Sequence, residues 1–203
     1  MEAQPTHDRV TDRSIAKATR RAALLDAAAE LFADRGYNGV SIEDLGAAAG
    51  VSGPAVYRHF AGKPSVLAAL LTGVSEQLLG GARAVARSSS SPEEALRGLI
   101  RFQVEFALNH ADVIRVQDRD LGSLLPDDES AVRSLQRSYV QLWVDELVAY
   151  RSDGDRSLQR RRVHAVFGLI NSTPHTAHGT GSVHERDLLR TLLEKMAWAA
   201  LTA

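Results

Sequence analysis

Residues 41–63 contain a group of side chains whose types and spacing could bind phosphate. The polar groups are hydroxyl, guanidinium, imidazole and ammonium groups, and they belong to Ser52, Tyr57, Arg58, His59 and Lys63. Groups of these kinds donate hydrogen bonds to the phosphate oxygens of nucleic acids. Because the first four fall within about two helical turns, one short helix can present them together. The spacing therefore predicts a helix that binds phosphates.

A second short helix must precede this one and hold it in place. Ser41 is suited to be its N-cap, and Glu43 and Asp44 follow in the first turn, where carboxylates stabilise a helix. This helix is expected to end at Gly50. The donor-bearing helix is then expected to begin at Ser52 or Gly53, with Pro54 in its first turn. The residues expected on its buried side are Val56, Tyr57 and Phe60.

Residues 50–52 predict a sharp turn between the two helices. Gly50 can adopt the backbone conformation that such a turn needs, and Val51 can fill the space between the helices. The small side chains of residues 47–49 are expected to let the helices cross closely. The combination predicts a helix-turn-helix.

The first 70 residues or so resemble the TetR family of bacterial transcriptional regulators, and the match extends over residues 24–71. Several features at fixed spacing coincide, which makes the resemblance specific. The residues that carry it are Ala28-Ala29-Glu30-Leu31-Phe32, Arg35-Gly36-Tyr37, Val40-Ser41-Ile42, Leu45, Ala49-Gly50-Val51-Ser52, Val56-Tyr57-Arg58-His59-Phe60 and Lys63.

The resemblance implies contacts to double-stranded DNA. Ser41 would touch a phosphate, and His59 and Lys63 would hold the DNA backbone. The residues expected to approach the major groove are Ser52, Gly53, Pro54 and Tyr57, and those that complete the DNA-binding set are Arg20 and Arg58. Gly53 and Pro54 depart from the residues common in the family at these positions. The alternative for Tyr57 and His59 is a packing role within the small domain.

Residues 1–18 are predicted to form a flexible basic arm ahead of a helix-turn-helix domain at residues 19–72. The basic residues of this region are Arg9, Arg13, Lys17, Arg20 and Arg21. Such an arm can follow phosphates or enter the minor groove, where narrow A·T tracts attract arginine. A solvated tail is the alternative reading of the same charges.

Composition limits the classes of protein to consider. The 203 residues carry a formal net charge of −1 and no cysteine, so a disulfide framework and a thiolate zinc site are excluded. A partner nucleic acid must therefore meet a local basic patch. The sequence shows neither a signal peptide nor about 18 consecutive apolar residues, which predicts a cytoplasmic protein without a membrane partner.

Helical spacing of apolar residues continues through the chain and predicts an all-α fold. A glycine break is expected at residues 80–81, and a separate helical domain is expected over residues 73–203. Its later helices are predicted near residues 111–122, 127–151, 157–172 and 183–201. The last two carry apolar stripes wider than a single buried face requires, which predicts a homodimer. A dimer also matches the pseudo-palindromic operators that helix-turn-helix proteins bind.

The second domain is predicted to enclose a small-molecule effector, as the TetR resemblance implies. The candidate ligand-binding residues are Phe102, Gln103, Phe106, Arg115, Arg119, Tyr139, Trp143, Asn171 and His175. The alternative is that the aromatic members fill the core. Residues 114–121 and 166–178 resemble actinobacterial regulators linked to lipid or acyl-thioester metabolism, which implies an acyl thioester as a candidate effector.

Enzymatic and metal-binding functions find little support in the sequence. Four histidines fall within 21 residues, at positions 164, 175, 178 and 184, but no Asp or Glu occurs from residue 156 to 184 and His175 and His178 have no adjacent carboxylate, so no metal site is predicted. No cofactor fingerprint or nucleophile elbow is present, and no cofactor is expected. The leading function is a ligand-responsive transcriptional regulator, most simply a repressor. The alternatives are a regulator without a ligand and a helical enzyme on the same fold.

Overall fold

The computed structural model describes residues 7–151, 155–172 and 183–203, with side chains from residue 14 onwards. Helices account for its regular structure, and no strand occurs among these residues, so the predicted all-α fold is confirmed. The helices are α1 (His7–Arg35), α2 (Ile42–Ala48), α3 (Gly53–Val56), α4 (Lys63–Ser88), α5 (Pro92–Asn109), α6 (Ala111–Asp120), α7 (Pro126–Arg151), α8 (Arg156–Asn171) and α9 (Val183–Thr202).

The first helix is longer than the sequence pattern indicated. It begins at His7, so most of the segment expected to be a flexible arm is helical. Residues 14–23 are almost entirely exposed, which explains why their pattern showed no apolar stripe. Within this segment the Thr19 hydroxyl donates to the Ile15 carbonyl at 3.0 Å, one turn earlier. The helix continues here without a buried face of its own.

Two buried clusters divide the molecule. The first joins α1, α2, α3 and the first half of α4 to one side of α6 and the start of α7, and Leu24, Phe32 and Leu45 are almost completely buried in it. The second joins the rest of α4 to α5, α7, α8 and α9 around Trp143. Val74 of α4 packs against both clusters. One continuous helix therefore belongs to both cores.

The expected break at residues 80–81 is absent, because α4 runs through it to Ser88. A Cβ atom built on Gly81 would lie only 2.2 Å from the Phe102 ring, so glycine there lets α5 pack directly on α4. Gly98 of α5 similarly faces Val85 of α4, at 2.6 Å from its Cβ position. These glycines serve close helix packing and not a turn.

Helix α4 is also the one helix, among those described, whose length and mean hydropathy would suit a membrane span. Of its most apolar window, 44% is buried inside the fold. Its buried side chains include Val66, Leu67 and Leu71 of the first core and Leu79 of the second. A core helix passes the same test of length and composition, so this helix gives no sign of a membrane protein.

Candidate DNA-binding surface and ligand cavity

The second helix begins with a capping box formed by Ser41 and Asp44. The backbone N–H of Asp44 donates to the Ser41 hydroxyl at 3.0 Å, and the backbone N–H of Ser41 donates to the Asp44 carboxylate at 2.8 Å. The Ser41 hydroxyl also donates to that carboxylate at 2.6 Å. These bonds hold the pKa of Asp44 below its usual value. Ser41 thus fixes the start of α2, and its hydroxyl proton is already used inside the protein.

The turn between α2 and α3 depends on two glycines. Gly50 has a φ of 67°, in the left-handed region that glycine tolerates. Gly46, inside α2, lies under the turn, and a Cβ atom there would come within 2.9 Å of the Val51 carbonyl oxygen. Close crossing was expected at residues 47–49, but Ala47 and Ala48 are exposed. The close approach occurs at Gly46 instead.

Four predicted DNA-contacting residues within residues 52–60, which we call the recognition segment, are exposed. They are Ser52, Pro54, Tyr57 and Arg58. Tyr57 is 58% exposed, while Val56 and Phe60 on either side of it are buried. The expectation that Tyr57 belongs to the buried side of the helix is therefore wrong. Gly53 is half-buried, with its Cβ position 3.5 Å from the Glu43 side chain.

His59 lies partly inside the domain. The residue is half-buried, and its Nδ1 atom is buried without a hydrogen-bond partner among the described residues. A contact from this ring to a phosphate would have to use Nε2. The half-buried position of His59 agrees with the packing role, and its contact with a phosphate stays a prediction.

Lys63 is held at the start of α4 by Tyr37. Its ammonium donates to the Tyr37 carbonyl oxygen at 2.8 Å and stands 4.4 Å from the centre of the Tyr37 ring. An ammonium group has three N–H donors, so further donors remain for a phosphate. The contact with Tyr37 orients the lysine beside the recognition segment.

Arg20 and Arg21, both exposed on α1, differ in what they touch. The Arg21 guanidinium carbon lies 5.1 Å from the centre of the Phe60 ring, at the end of the recognition segment. Sequence reasoning chose Arg20 as the DNA contact of this pair. The structure instead brings Arg21 to the recognition segment. The spacing of charges along the sequence could not reveal this contact, because it depends on how α1 packs against Phe60.

A cavity of about 230 Å³ lies between α4, α5, α6, α7 and α8. Three of the predicted ligand-binding residues line it, namely Gln103, Tyr139 and Asn171. Sequence reasoning missed the other polar residues of the lining, which are Ser75, Gln117, Gln136 and His164. No lysine, arginine, aspartate or glutamate of the described chain lines the cavity.

A chain of hydrogen bonds crosses the cavity wall. The Tyr139 hydroxyl donates to the side-chain oxygen Oε1 of Gln103 at 2.7 Å. The side-chain nitrogen Nε2 of Gln103 donates in turn to Asn171 Oδ1 at 2.9 Å. Burial raises the pKa of Tyr139 far above its usual value, so its phenol stays protonated as a donor. The Tyr139 ring stacks on Phe167 with 5.5 Å between ring centres. The cavity thus offers neutral amides beside an aromatic face.

The remaining aromatic candidates lie outside the cavity. Trp143 is fully buried and meets Phe167 edge-on, at 5.0 Å between ring centres. Phe106 is buried and packs against His110, and Phe102 packs on Gly81 between α4 and α5. Trp143 and Phe106 therefore fill the core, which is the alternative that their helical spacing had left open, while Phe102 is half-buried.

The two predicted arginine anchors also lie elsewhere. Arg115 of α6 pairs with Asp112 of the same helix at 3.1 Å. Arg119 donates to the carbonyl oxygens of Phe32 and Ala33 at the end of α1. Neither residue lines the cavity. The last candidate, His175, lies outside the described residues. Within the described residues no group of three side chains that could hold a metal ion occurs.

Apolar side chains of α9 face solvent in the isolated chain. Leu188, Leu192 and Met196 are 58%, 53% and 44% exposed and recur every four residues. On α8, Leu158 is 44% exposed. A stripe at this spacing covers one face of a helix.

Comparisons with known proteins fit this architecture. A family model described as bacterial regulatory proteins of the tetR family matches residues 24–70. A second, described as the tetracyclin repressor-like C-terminal domain, matches residues 89–196, which is 108 of the 203 residues. The two matches follow the two halves of the fold.

Curated relatives include the HTH-type transcriptional repressor KstR2. The protein from Mycobacterium tuberculosis is 31% identical over 130 residues, and the match spans 64% of this chain and 65% of that protein. The protein from Rhodococcus jostii is 30% identical over 144 residues, spanning 70% of this chain and 71% of the relative. The matched segments are therefore about two thirds of each protein.

Solved structures share the fold over most of the chain. A TetR-family regulator from Bordetella parapertussis superimposes with a TM-score of 0.78 and 28% identity, covering 87% of this chain and 93% of that one. The regulator AibR, solved with isovaleryl coenzyme A and operator DNA, has a TM-score of 0.72 and 17% identity, covering 87% and 97%. Since the second family model alone covers more than half of its residues, the chain belongs to the TetR family of bacterial regulatory proteins.

Proposed function

We propose that this protein is a transcriptional repressor that binds operator DNA as a homodimer in the cytoplasm and releases it when an effector binds. The observation that carries the proposal is the exposure of Tyr57 and Arg58 beside buried Val56 and Phe60. A short helix that buries one side in a capped helix-turn-helix and exposes donors on the other is the arrangement that enters a major groove. Family membership and the relatives named as repressors support this function.

The proposed DNA contacts are those of the recognition segment and its neighbours. Tyr57 and Arg58 are free to reach base edges or phosphates, and Lys63 has donors left for the backbone. The remaining proposed contacts are Arg20, Ser41, Ser52, Gly53, Pro54 and His59. For Ser41 the contact would come through the N-terminus of α2, because its hydroxyl proton is donated to Asp44.

The exposed stripe on α9 supports the proposed homodimer. Leu188, Leu192 and Met196 would be covered by the same helix of a second copy, with α8 beside it. A two-fold dimer places two identical recognition helices about one DNA turn apart, roughly 34 to 36 Å. A pseudo-palindromic operator would match this arrangement.

The proposed effector has an uncharged, mainly apolar part that enters the cavity. The volume of about 230 Å³ is small, since drug-sized ligands occupy pockets of roughly 300 to 1,000 Å³. The Gln103 amide donates one N–H to Asn171, and its second N–H can donate to a carbonyl or hydroxyl oxygen there, while the Tyr139 proton is already donated to Gln103. A short acyl thioester fits this description, and a structural relative was solved with isovaleryl coenzyme A.

The proposal is tested by selecting duplexes from a random DNA library with the purified protein and measuring the affinity of the selected site by fluorescence anisotropy. Tyr57→Ala and Arg58→Ala should each weaken binding by about tenfold, because lost base or phosphate contacts cost roughly 1 to 3 kcal/mol. Arg133→Ala is the matched control, because Arg133 is an exposed arginine of α7 that pairs with Glu129 of the same helix. Selection of no sequence above background would contradict the proposed function.

A further inference from the structure

A groove of about 670 Å³ on the surface of the second domain gathers arginines from three helices. Arg83 and Arg87 come from α4, Arg137 from α7 and Arg160 from α8. We call this feature the arginine groove. It is separate from the cavity, because no residue lines both.

The positive charges in the arginine groove are largely uncompensated. Several arginines elsewhere on the surface pair with carboxylates, as Arg97 does with Glu93 and Arg133 with Glu129. In the described part of the chain, Arg83, Arg87 and Arg137 have no such partner, and the Arg160 guanidinium donates to the neutral amide of Gln141. Among the described residues, therefore, none of the four groove arginines forms an ion pair with a carboxylate of the groove.

Two carboxylates, Asp145 and Glu146, also line the groove. Asp145 is paired with Arg156, which does not line the groove. Burial and the nearby Asp145 charge raise the pKa of Glu146 above its usual value. Four arginines facing two such carboxylates leave the groove positive overall.

The floor of the groove is apolar. Leu79 is only 5% exposed, and Ala86 and Leu142 lie beside it. Arginine binds phosphate through paired N–H groups, and an apolar floor suits the organic part of the same molecule. We propose that the arginine groove binds an organic polyphosphate, that is, a nucleotide or a nucleotide-containing coenzyme.

Two sources of such a ligand are compatible with this chemistry. Adjacent residues of α4 line the two sites, Leu78 the cavity and Leu79 the groove, and on α8 Arg160 lies one turn before His164 of the cavity. The coenzyme A part of an acyl thioester could therefore occupy the groove with its acyl group in the cavity. A free nucleotide would occupy the groove alone.

Isothermal titration calorimetry of the full chain with coenzyme A, ATP and isovaleryl coenzyme A tests the proposal. At least one of these probes should bind with a Kd below about 1 mM, and its affinity should fall as salt rises. Arg83→Gln combined with Arg87→Gln should weaken binding about tenfold or more, because bonds to charged groups are lost. Arg133→Gln should change nothing, since Arg133 lies on α7 but outside the groove.

Competition separates the two sources. If coenzyme A displaces isovaleryl coenzyme A, the groove holds the coenzyme part of the thioester; if ATP binds while the thioester stays bound, the groove serves a separate nucleotide. Absence of binding by all three probes, or equal affinity in the groove variants, overturns the proposal. The groove variants should bind the selected DNA with the affinity of the wild type. If the wild type itself selects no DNA, the proposed function is contradicted, and the calorimetry still tests the groove on its own.

Discussion

The Arg119 side chain of α6 donates hydrogen bonds to the Phe32 carbonyl oxygen, and so joins the second domain to the end of the first helix. It also donates to Ala33 O at 3.3 Å, while the 6% exposed Asp120 accepts from its guanidinium at 3.0 Å. Carbonyl groups at a helix C-terminus carry partial negative charge, which favours a cation at this place. Arg119 is therefore a bridge between domains and not a ligand anchor.

Replacement of Arg119 should weaken this bridge. Arg119→Met keeps an unbranched side chain in place of the aliphatic part of arginine but leaves the buried Asp120 without its partner, so the free energy of unfolding should fall by about 1 to 3 kcal/mol. Urea unfolding measures the change. Arg119→Met combined with Asp120→Asn should recover part of the loss, because no unpaired charge remains. An unchanged urea midpoint in Arg119→Met would contradict the bridge.

Gly46→Ala should disturb the helix-turn-helix. The new Cβ atom would stand 2.9 Å from the Val51 carbonyl oxygen, which belongs to the backbone of the turn. Overpacking of this kind costs about 1 to 3 kcal/mol, and DNA affinity should fall with it. Gly73→Ala is the matched control in α4, because nothing lies within 4 Å of its Cβ position. There alanine should stabilise by about 0.5 to 1 kcal/mol, as judged by thermal melts.

Charges on the α9 stripe should separate the proposed dimer. Leu188→Glu combined with Leu192→Glu places two carboxylates where the apolar stripe is exposed, and sedimentation should show a monomer with much weaker DNA binding. Leu193 is unsuitable for this test, since it is 5% exposed and packs inside its own subunit. Leu125→Glu is the control at an exposed leucine outside the stripe. A double variant that still sediments as a dimer would place the interface elsewhere.

The capping box should make α2 sensitive to acid. The folded-state pKa of Asp44 is lowered, first by the Ser41 hydroxyl and then by the Ser41 backbone N–H, so its contribution is present above the pKa of an unfolded Asp, about 3.9. That contribution is lost as pH falls through the folded-state value. The difference in urea midpoint between wild type and Asp44→Ala should therefore shrink below about pH 4. A difference that stays constant with pH would exclude the charged carboxylate as the cause.

Local patterns were sufficient to predict the helix-turn-helix. Caps, turn glycine and apolar spacing lie within a few residues of one another, as with Ser41, Asp44 and Gly50, so their consequences can be derived from the sequence. At the start of α5 the Glu94 N–H likewise donates at 3.2 Å to the Ser91 hydroxyl, three residues earlier in the chain. Interactions between near neighbours in the chain need no knowledge of the tertiary fold.

The cavity was predicted only in part, because its lining comes from five helices. Gln103, Tyr139 and Asn171 lie on the helix faces that line the cavity, as predicted. Phe102 and Arg119 instead contact Gly81 and Phe32, and these contacts are set by packing between segments distant in the chain. The Arg119 bond to Phe32 joins residues 87 positions apart in the chain. Residue type alone cannot tell an arginine that binds a ligand from one that caps a helix.

The continuity of α4 through both cores gives the molecule a mechanical property. From Ser75, which lines the cavity, to Lys63, beside the recognition segment, the helix rises about 18 Å. If a ligand tilts this helix by about 5° around the cavity end, the lysine end is displaced by about 1.6 Å. That displacement is comparable to the range over which a hydrogen bond to phosphate is lost. A small change in the cavity is therefore enough, by leverage alone, to alter how the two recognition helices of the proposed dimer fit successive grooves.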